Sequence, residues 1–171
     1  QQLTPFLPSV RQWISNYLKE CSSISKSVSS LGFSRLPNYY SNKDINSAKV
    51  VFVDKINMIP LSQIGIIGLG DFEYMDIEGV TYIDTFFVRK SCANLESTCF
   101  HELVHIIQWE YLGIDKFLLL YGLGLKKYGY RESPLENQAY VLQERFEKSA
   151  KPFDVRAQIT SQLDVLLSEI L

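Results

Sequence analysis

The sequence predicts a mainly helical α+β domain with a small mixed β-sheet in its N-terminal half. Apolar residues recur at helical spacing near the N-terminus and through most of the chain after residue 95, which is typical of amphipathic helices. Between these regions lie two runs rich in β-branched and aromatic residues, 49–53 and 79–88, and each is expected to form a strand. A chain of 171 residues has the length of one domain, so a single domain over residues 1–171 is predicted.

In the first half, a long amphipathic helix is predicted over residues 9–30. Residues 31–48 carry Pro, Asn and Ser and are expected to form a loop. Residues 56–70 are expected to be irregular because they contain a proline and several glycines. The run 79–88 is predicted to be one strand whose edge could pair with an extended peptide.

In the second half, residues 95–112 contain no Pro or Gly and are predicted to form one helix. Three more helices are expected to follow, each opened by a polar residue that can cap it: Asp115, Ser133 and Asp154. Ser133 and Glu136 have the spacing of a capping box, in which each side chain bonds the other's backbone.

The most informative motif is His101-Glu102-Leu103-Val104-His105, which holds the only two histidines of the chain. On a helix, residues four apart lie on the same face, so both imidazoles can point at one metal ion. Glu102 is then placed to take a proton from a water at that metal. Apolar residues flank the motif, as expected for a helix in a core.

A catalytic zinc site needs three protein ligands and an open position for water. Since no histidine is left, the third ligand must be a cysteine or a carboxylate. Families with a third histidine six residues after the second are excluded, because that position is Tyr111 and the glycine of that pattern is Gln108. Cys99 lies on another face of the helix from His101 and is interpreted as a small core residue.

Three segments, residues 79–88, 100–109 and 129–140, carry a resemblance to a known group. The chain resembles the gluzincins, the zincins with a Glu ligand of which thermolysin is the best known, and more narrowly small bacterial H-E-x-x-H proteins. The resemblance covers roughly residues 79–140 and implies a minimal zincin-like domain. It also implies that the P-x-E-x-x-A segment supplies the third ligand, Glu136. Glu132 and Glu144 remain alternatives, as does a capping role for Glu136.

The resulting hypothesis is a zinc-dependent peptidase. Zinc is expected at His101, His105 and Glu136, with Glu102 as the general base and a peptide or protein as substrate. Such enzymes also need a donor to the developing oxyanion, for which Tyr130 is the candidate. A catalytically silent zincin-fold module for binding or assembly is the alternative, and a purely structural zinc site is a third possibility.

Composition argues against several other classes. A net charge of −2 gives no support to nucleic-acid binding, and no apolar run approaches the ~20 residues that span a bilayer, so no membrane role is predicted. Three widely spaced cysteines without a C-x-x-C pair favour a reducing compartment, and a cytoplasmic location is expected. The sequence does not indicate an oligomeric state.

Overall fold

The computed structural model describes residues 2–148 and 151–170 of the chain. It is a mainly helical α+β fold with a small mixed sheet in the N-terminal half, as the sequence predicts. Short 3₁₀ turns connect several elements in the first forty residues. The helices are α1 Leu7–Cys21, α2 Asn42–Ser47, α3 Leu61–Ile64, α4 Gly70–Glu73, α5 Leu95–Leu112, α6 Ile114–Tyr128, α7 Pro134–Lys148 and α8 Val155–Ile170.

The sheet has four strands in the order β1-β2-β4-β3. Its two central strands, β2 and β4, run parallel with Lys49 opposite Thr85. The outer strands are antiparallel to them, so the sheet is mixed. The strands are β1 Lys26–Ser27, β2 Lys49–Val53, β3 Gly79–Tyr82 and β4 Thr85–Arg89.

Helix α5 is the centre of the fold and has the predicted bounds. It is buried on nearly every face, because it packs against β3 and β4 on one side and against α6, α7 and α8 on the other. A helix this apolar all round requires cover on all sides. It ends at Gly113, whose φ of 73° is readily adopted by glycine.

The first half departs from the sequence prediction in several places. Helix α1 ends at Cys21 rather than continuing to residue 30, because Lys26 and Ser27 pair with β2 instead. The predicted loop 31–48 contains helix α2, which Ser41 and Asp44 open with a capping box. In the first case strand pairing outweighed the helical pattern, and in the second the capping box in the sequence was overlooked. The region 56–70, expected to be irregular, contains the single-turn helix α3.

The predicted strand 79–88 is in fact a hairpin, β3 and β4 joined by Ile83 and Asp84. Two-residue hairpin loops favour Asn and Gly because a central residue needs positive φ. Here Ile83 adopts a φ of 63°, so the turn carries none of the usual sequence signal. Among the described residues, β3 pairs with β4 alone and is therefore an edge strand.

The predicted helix caps have mixed outcomes. The Asp154 carboxylate accepts from the backbone N–H of Ala157 at 2.9 Å, which confirms that cap. Asp115 makes no cap and instead pairs with Arg11. The capping box of Ser133 and Glu136 is wrong, since the Ser133 hydroxyl donates to the Tyr130 carbonyl and the Glu136 carboxylate turns towards the histidines.

Within residues 2–148 and 151–170, the helices are all too short or too polar to cross a lipid bilayer.

Candidate metal centre

Helix α5 places the two histidine rings one above the other. Their Nε2 atoms are 3.1 Å apart, and both side chains are buried. This follows from the four-residue spacing, which brings side chains onto one face about one turn apart.

Helix α7 brings a carboxylate to the same point. The Glu136 oxygens lie 3.4 Å from Nε2 of His101 and 3.4 Å from Nε2 of His105. Ala139, one turn further along α7, is completely buried and lets α7 approach α5 closely. The other two candidates lie elsewhere: Glu132 is exposed, and exposed Glu144 pairs with Lys148.

Charge and burial act strongly on this cluster. Burial favours the neutral form of Glu136, but the nearby histidines outweigh it and hold the pKa of Glu136 well below its usual value. Burial likewise disfavours a charge on His105, but the Glu136 carboxylate raises the pKa of His105 to about 9. Glu136 Oε2 is fully enclosed and has no hydrogen-bond partner. An unpaired buried carboxylate oxygen is costly, and a bound cation would offset that cost.

The three side chains fit one metal ion. Ligand atoms about 2.0–2.1 Å from a tetrahedral zinc lie about 3.3 Å from one another. Here the two Nε2 atoms are 3.1 Å apart, Glu136 Oε2 lies 3.4 Å from His101 Nε2, and the other carboxylate oxygen, Oε1, lies 3.4 Å from His105 Nε2. Two imidazole nitrogens and a carboxylate are also a donor set that zinc and similar divalent metals accept. The buried group of His101, His105 and Glu136 could therefore hold a metal ion.

Glu102 lies beside this cluster, where β3 runs past α5. Its carboxylate accepts a hydrogen bond of 2.6 Å from the Thr81 hydroxyl. A Cβ at Gly79 would be 2.4 Å from Glu102 Oε1, so only glycine lets the carboxylate lie this close to the strand. Burial raises the pKa of Glu102 above its usual value, and the neighbouring histidines and Thr81 only reduce the shift.

Glutamines contact the far side of both histidine rings. His101 Nδ1 lies 3.0 Å from Gln143 Oε1, and His105 Nδ1 lies 2.8 Å from Gln108 Oε1. Tyr140, four residues after Glu136, packs its ring edge-on against His101. The histidines are therefore oriented by amides.

Two tyrosines lie near the carboxylates. The Tyr121 hydroxyl donates to Glu136 Oε1. Tyr130, the predicted oxyanion donor, lines the same cavity as Glu102 and Glu136, and its ring lies against that of Tyr140. Burial raises the pKa of both tyrosines, Tyr121 and Tyr130, so they stay protonated and can donate hydrogen bonds. The oxyanion role of Tyr130 stays a prediction.

An apolar cavity of about 90 Å³ opens beside the cluster. Glu102, His105 and Glu136 lie in its wall together with apolar side chains from several elements. A water needs about 10–15 Å³ of such volume, so there is room for a bulky apolar group. The other walls come from α1, α6, β3 and the segment between β2 and β3, including Val10, Leu118, Val80 and Leu61.

Sequence reasoning assigned no role in the site to Thr81, Gln108, Tyr121 or Gln143. Two of these had a usable signal. Gln108 follows His105 by three residues, and Gln143 follows Glu136 by seven, so each shares a helix face with a predicted ligand. Thr81 and Tyr121 lie on elements whose packing the sequence does not specify.

Comparison with known proteins finds no matching family model, no matching curated protein and no matching solved structure.

Proposed function

We propose that the protein is a zinc-dependent peptidase. The observation that supports this most strongly is the convergence of the His101 and His105 Nε2 atoms and the Glu136 carboxylate within 3.4 Å of one another. The Glu102 side chain lies in the wall of the cavity that His105 and Glu136 also line. Three protein ligands with a carboxylate nearby match the needs of a hydrolytic zinc site better than those of a structural one, which has four protein ligands.

In this proposal a side chain of the protein accepts the proton of the attacking water and later donates it. A bound zinc ion would acidify a water and polarise the substrate carbonyl. Glu102 takes the proton from that water during attack and passes it to the leaving amine. The raised pKa of Glu102 suits this exchange, because a base works best when its pKa approaches the working pH. Tyr130 donates to the oxyanion.

The surroundings favour an extended peptide with an apolar side chain. Strand β3 is an edge strand among the described strands, and Gly79 and Thr81 in it contact Glu102. The Thr81 carbonyl already accepts from the Trp109 indole at 3.3 Å, so a peptide would have to pair towards the Gly79 end. A peptide added to this edge would pass the base. The cavity beside it, lined almost entirely by apolar side chains, would accept a bulky apolar group next to the scissile bond.

One observation favours the alternative, a catalytically silent module for binding or assembly. The exposed fractions of His101, Glu102, His105 and Glu136 are only 5%, 4%, 4% and 2%. A substrate needs access to all four, whereas a silent site needs none.

Cleavage of a mixed peptide library by the zinc-loaded protein, read by mass spectrometry, separates the two functions. The parent should cleave beside bulky apolar residues. Glu102→Gln should keep zinc and lose about 10²–10⁴-fold in rate, because an amide cannot act as the base. Glu110→Gln, at the exposed end of the same helix, is the matched control and should behave as the parent.

His101→Ala and His105→Ala should each lose stoichiometric zinc. If both keep it under chelator competition, the metal site is wrong. A zinc-loaded parent that cleaves nothing would support the silent module instead.

A further inference from the structure

The ring nitrogen that carries the proton decides whether a histidine can bind an ion. A neutral imidazole has one N–H and one lone pair, and only the lone pair can face a cation. At this centre the Nε2 atoms converge, so both Nδ1 atoms must carry the hydrogen and need acceptors. Their partners are glutamine amides, which can either accept or donate. The direction must therefore follow from the groups at the other end of each amide.

For His105 the direction is set by backbone carbonyls. The Gln108 amide nitrogen lies 3.0 Å from the carbonyl oxygen of Leu135, and a carbonyl only accepts. The amide nitrogen must face Leu135, so the Gln108 carbonyl faces His105 Nδ1 at 2.8 Å. Gln108 also donates to Gln138 at 2.8 Å, and Gln138 is oriented in turn by the Ile159 carbonyl at 3.3 Å.

For His101 the direction is set by a carboxylate. The Ser97 hydroxyl donates its single hydrogen to Glu147. The Ser97 oxygen can then only accept from Gln143, whose amide nitrogen lies 2.9 Å away. This leaves the Gln143 carbonyl facing His101 Nδ1 at 3.0 Å.

We propose that Gln108 and Gln143 are positioning residues that hold both histidines in the tautomer with hydrogen on Nδ1, so that both Nε2 lone pairs face the candidate ion. The inference rests on the proposed metal site. Two lone pairs 3.1 Å apart and a carboxylate 3.4 Å from each repel one another unless a cation lies between them. The two amides thus turn both lone pairs towards the point where the candidate ion would bind.

Substitution at Gln143 tests the acceptor role. Gln143→Leu removes the carbonyl and should weaken zinc binding about 10–100-fold, the usual cost of losing such a partner. Gln143→Glu restores an acceptor towards His101 and should recover most of that loss. Gln108→Met should weaken binding to a similar degree. Gln158→Leu, on α8, removes an amide whose oxygen accepts from Arg145 rather than from a histidine. It is the matched control and should bind zinc as the parent does. Zinc affinity is measured by chelator competition.

The second readout is the tautomer itself. Long-range ¹H–¹⁵N NMR spectra of the unsubstituted, zinc-loaded protein should show hydrogen on Nδ1 of both rings. Hydrogen on Nε2 of either ring overturns the inference even where every variant folds poorly. Leu and Met variants that bind zinc within about 3-fold of the parent also overturn it but leave the metal site standing. A parent that binds no zinc contradicts the proposed function and this inference together.

Discussion

The two sides of helix α5 offer the site opposite environments. Towards α7 and α8, hydrogen-bonded amides lead from His105 to backbone carbonyls, and an amide leads from His101 through the Ser97 hydroxyl to the Glu147 carboxylate. Towards β3, α1 and α6, Glu102 has one side-chain hydrogen bond, from Thr81, and borders an apolar cavity. The polar side fixes the direction of each hydrogen bond, because the amide nitrogens of Gln108, Gln138 and Gln143 each have a defined acceptor. The apolar side raises the pKa of Glu102, because it keeps water away from the carboxylate.

The largest expected effect tests the polar side. Glu136→Ala should abolish stoichiometric zinc binding, because among the described residues it removes the one carboxylate that groups with both histidines. Glu132→Ala and Glu144→Ala are matched controls on the surface and should keep zinc under the same chelator competition. A Glu136→Ala protein that keeps zinc and loses only the roughly 0.5–2 kcal/mol of a helix cap would show that Glu136 is not a ligand.

Tyr121 and Tyr130 should have different roles, the first in metal binding and the second in catalysis. Tyr121→Phe removes a hydrogen bond to Glu136 and should weaken zinc binding about 10-fold, in line with the loss of a bond to a charged group. Tyr130→Phe should leave zinc affinity unchanged and lower the rate of peptide cleavage about 10²–10³-fold if its hydroxyl donates to the oxyanion. Equal zinc affinities in both variants, with equal rates, would contradict this division.

The stability of the metal-free protein should depend on pH through His105. Its pKa is raised in the folded protein to about 9 from an ordinary 6.5. The stabilisation is therefore complete below about pH 6.5 and is lost as pH rises through about 9, on the order of 3 kcal/mol. Urea unfolding across this range should show the loss, and His105→Gln should be flatter. Equal pH dependence in the two proteins would contradict the pairing with Glu136.

The smallest expected effect compares two glycines of α6 that face opposite sides. A Cβ at Gly124 would lie 3.0 Å from Pro134 Cδ and 3.1 Å from Ser133 Cβ, at the start of the helix that carries Glu136. A Cβ at Gly122 would meet only the end of the Leu3 side chain, at 2.6 Å, which can turn into the cavity.

Gly124→Ala should therefore cost about 1–2 kcal/mol of stability, since overpacking exceeds the gain in helix propensity. Gly122→Ala should be neutral within about 0.5 kcal/mol, because the two terms offset each other. Urea unfolding of the metal-free variants measures both, and the reverse order would show that the cavity side is the rigid one.

The contrast also explains what the sequence could predict. Helix α5 and the relative placement of His101, Glu102 and His105 follow from spacing along one helix, which is local information. Glu136 came from a resemblance, and the capping role that its local pattern predicted is wrong because the histidines attract the carboxylate more strongly. Gln143 is distant in sequence from His101, so only the packing of α7 on α5 brings the two together.

In the first half, the predictions failed where strand pairing or an atypical turn residue determined the structure. Lys26 and Ser27 gain a strand partner in β2, which ends the predicted helix early. The hairpin at Ile83 was missed because its turn lacks the residues that usually mark one. The acceptor of His105 was visible in the sequence as Gln108, but its direction depends on Leu135, which no local pattern supplies.

A substitution at Gly79 would affect the proposed catalysis without affecting the candidate metal ligands. Any side chain at this position would collide with the Glu102 carboxylate, whereas the candidate ligands lie on α5 and α7. Under the proposed chemistry, one substitution in β3 would abolish catalysis, while the H-E-x-x-H motif and metal binding were retained. In a set of descendants of this protein, the letter at position 79 would then distinguish enzymes from silent relatives better than the motif itself.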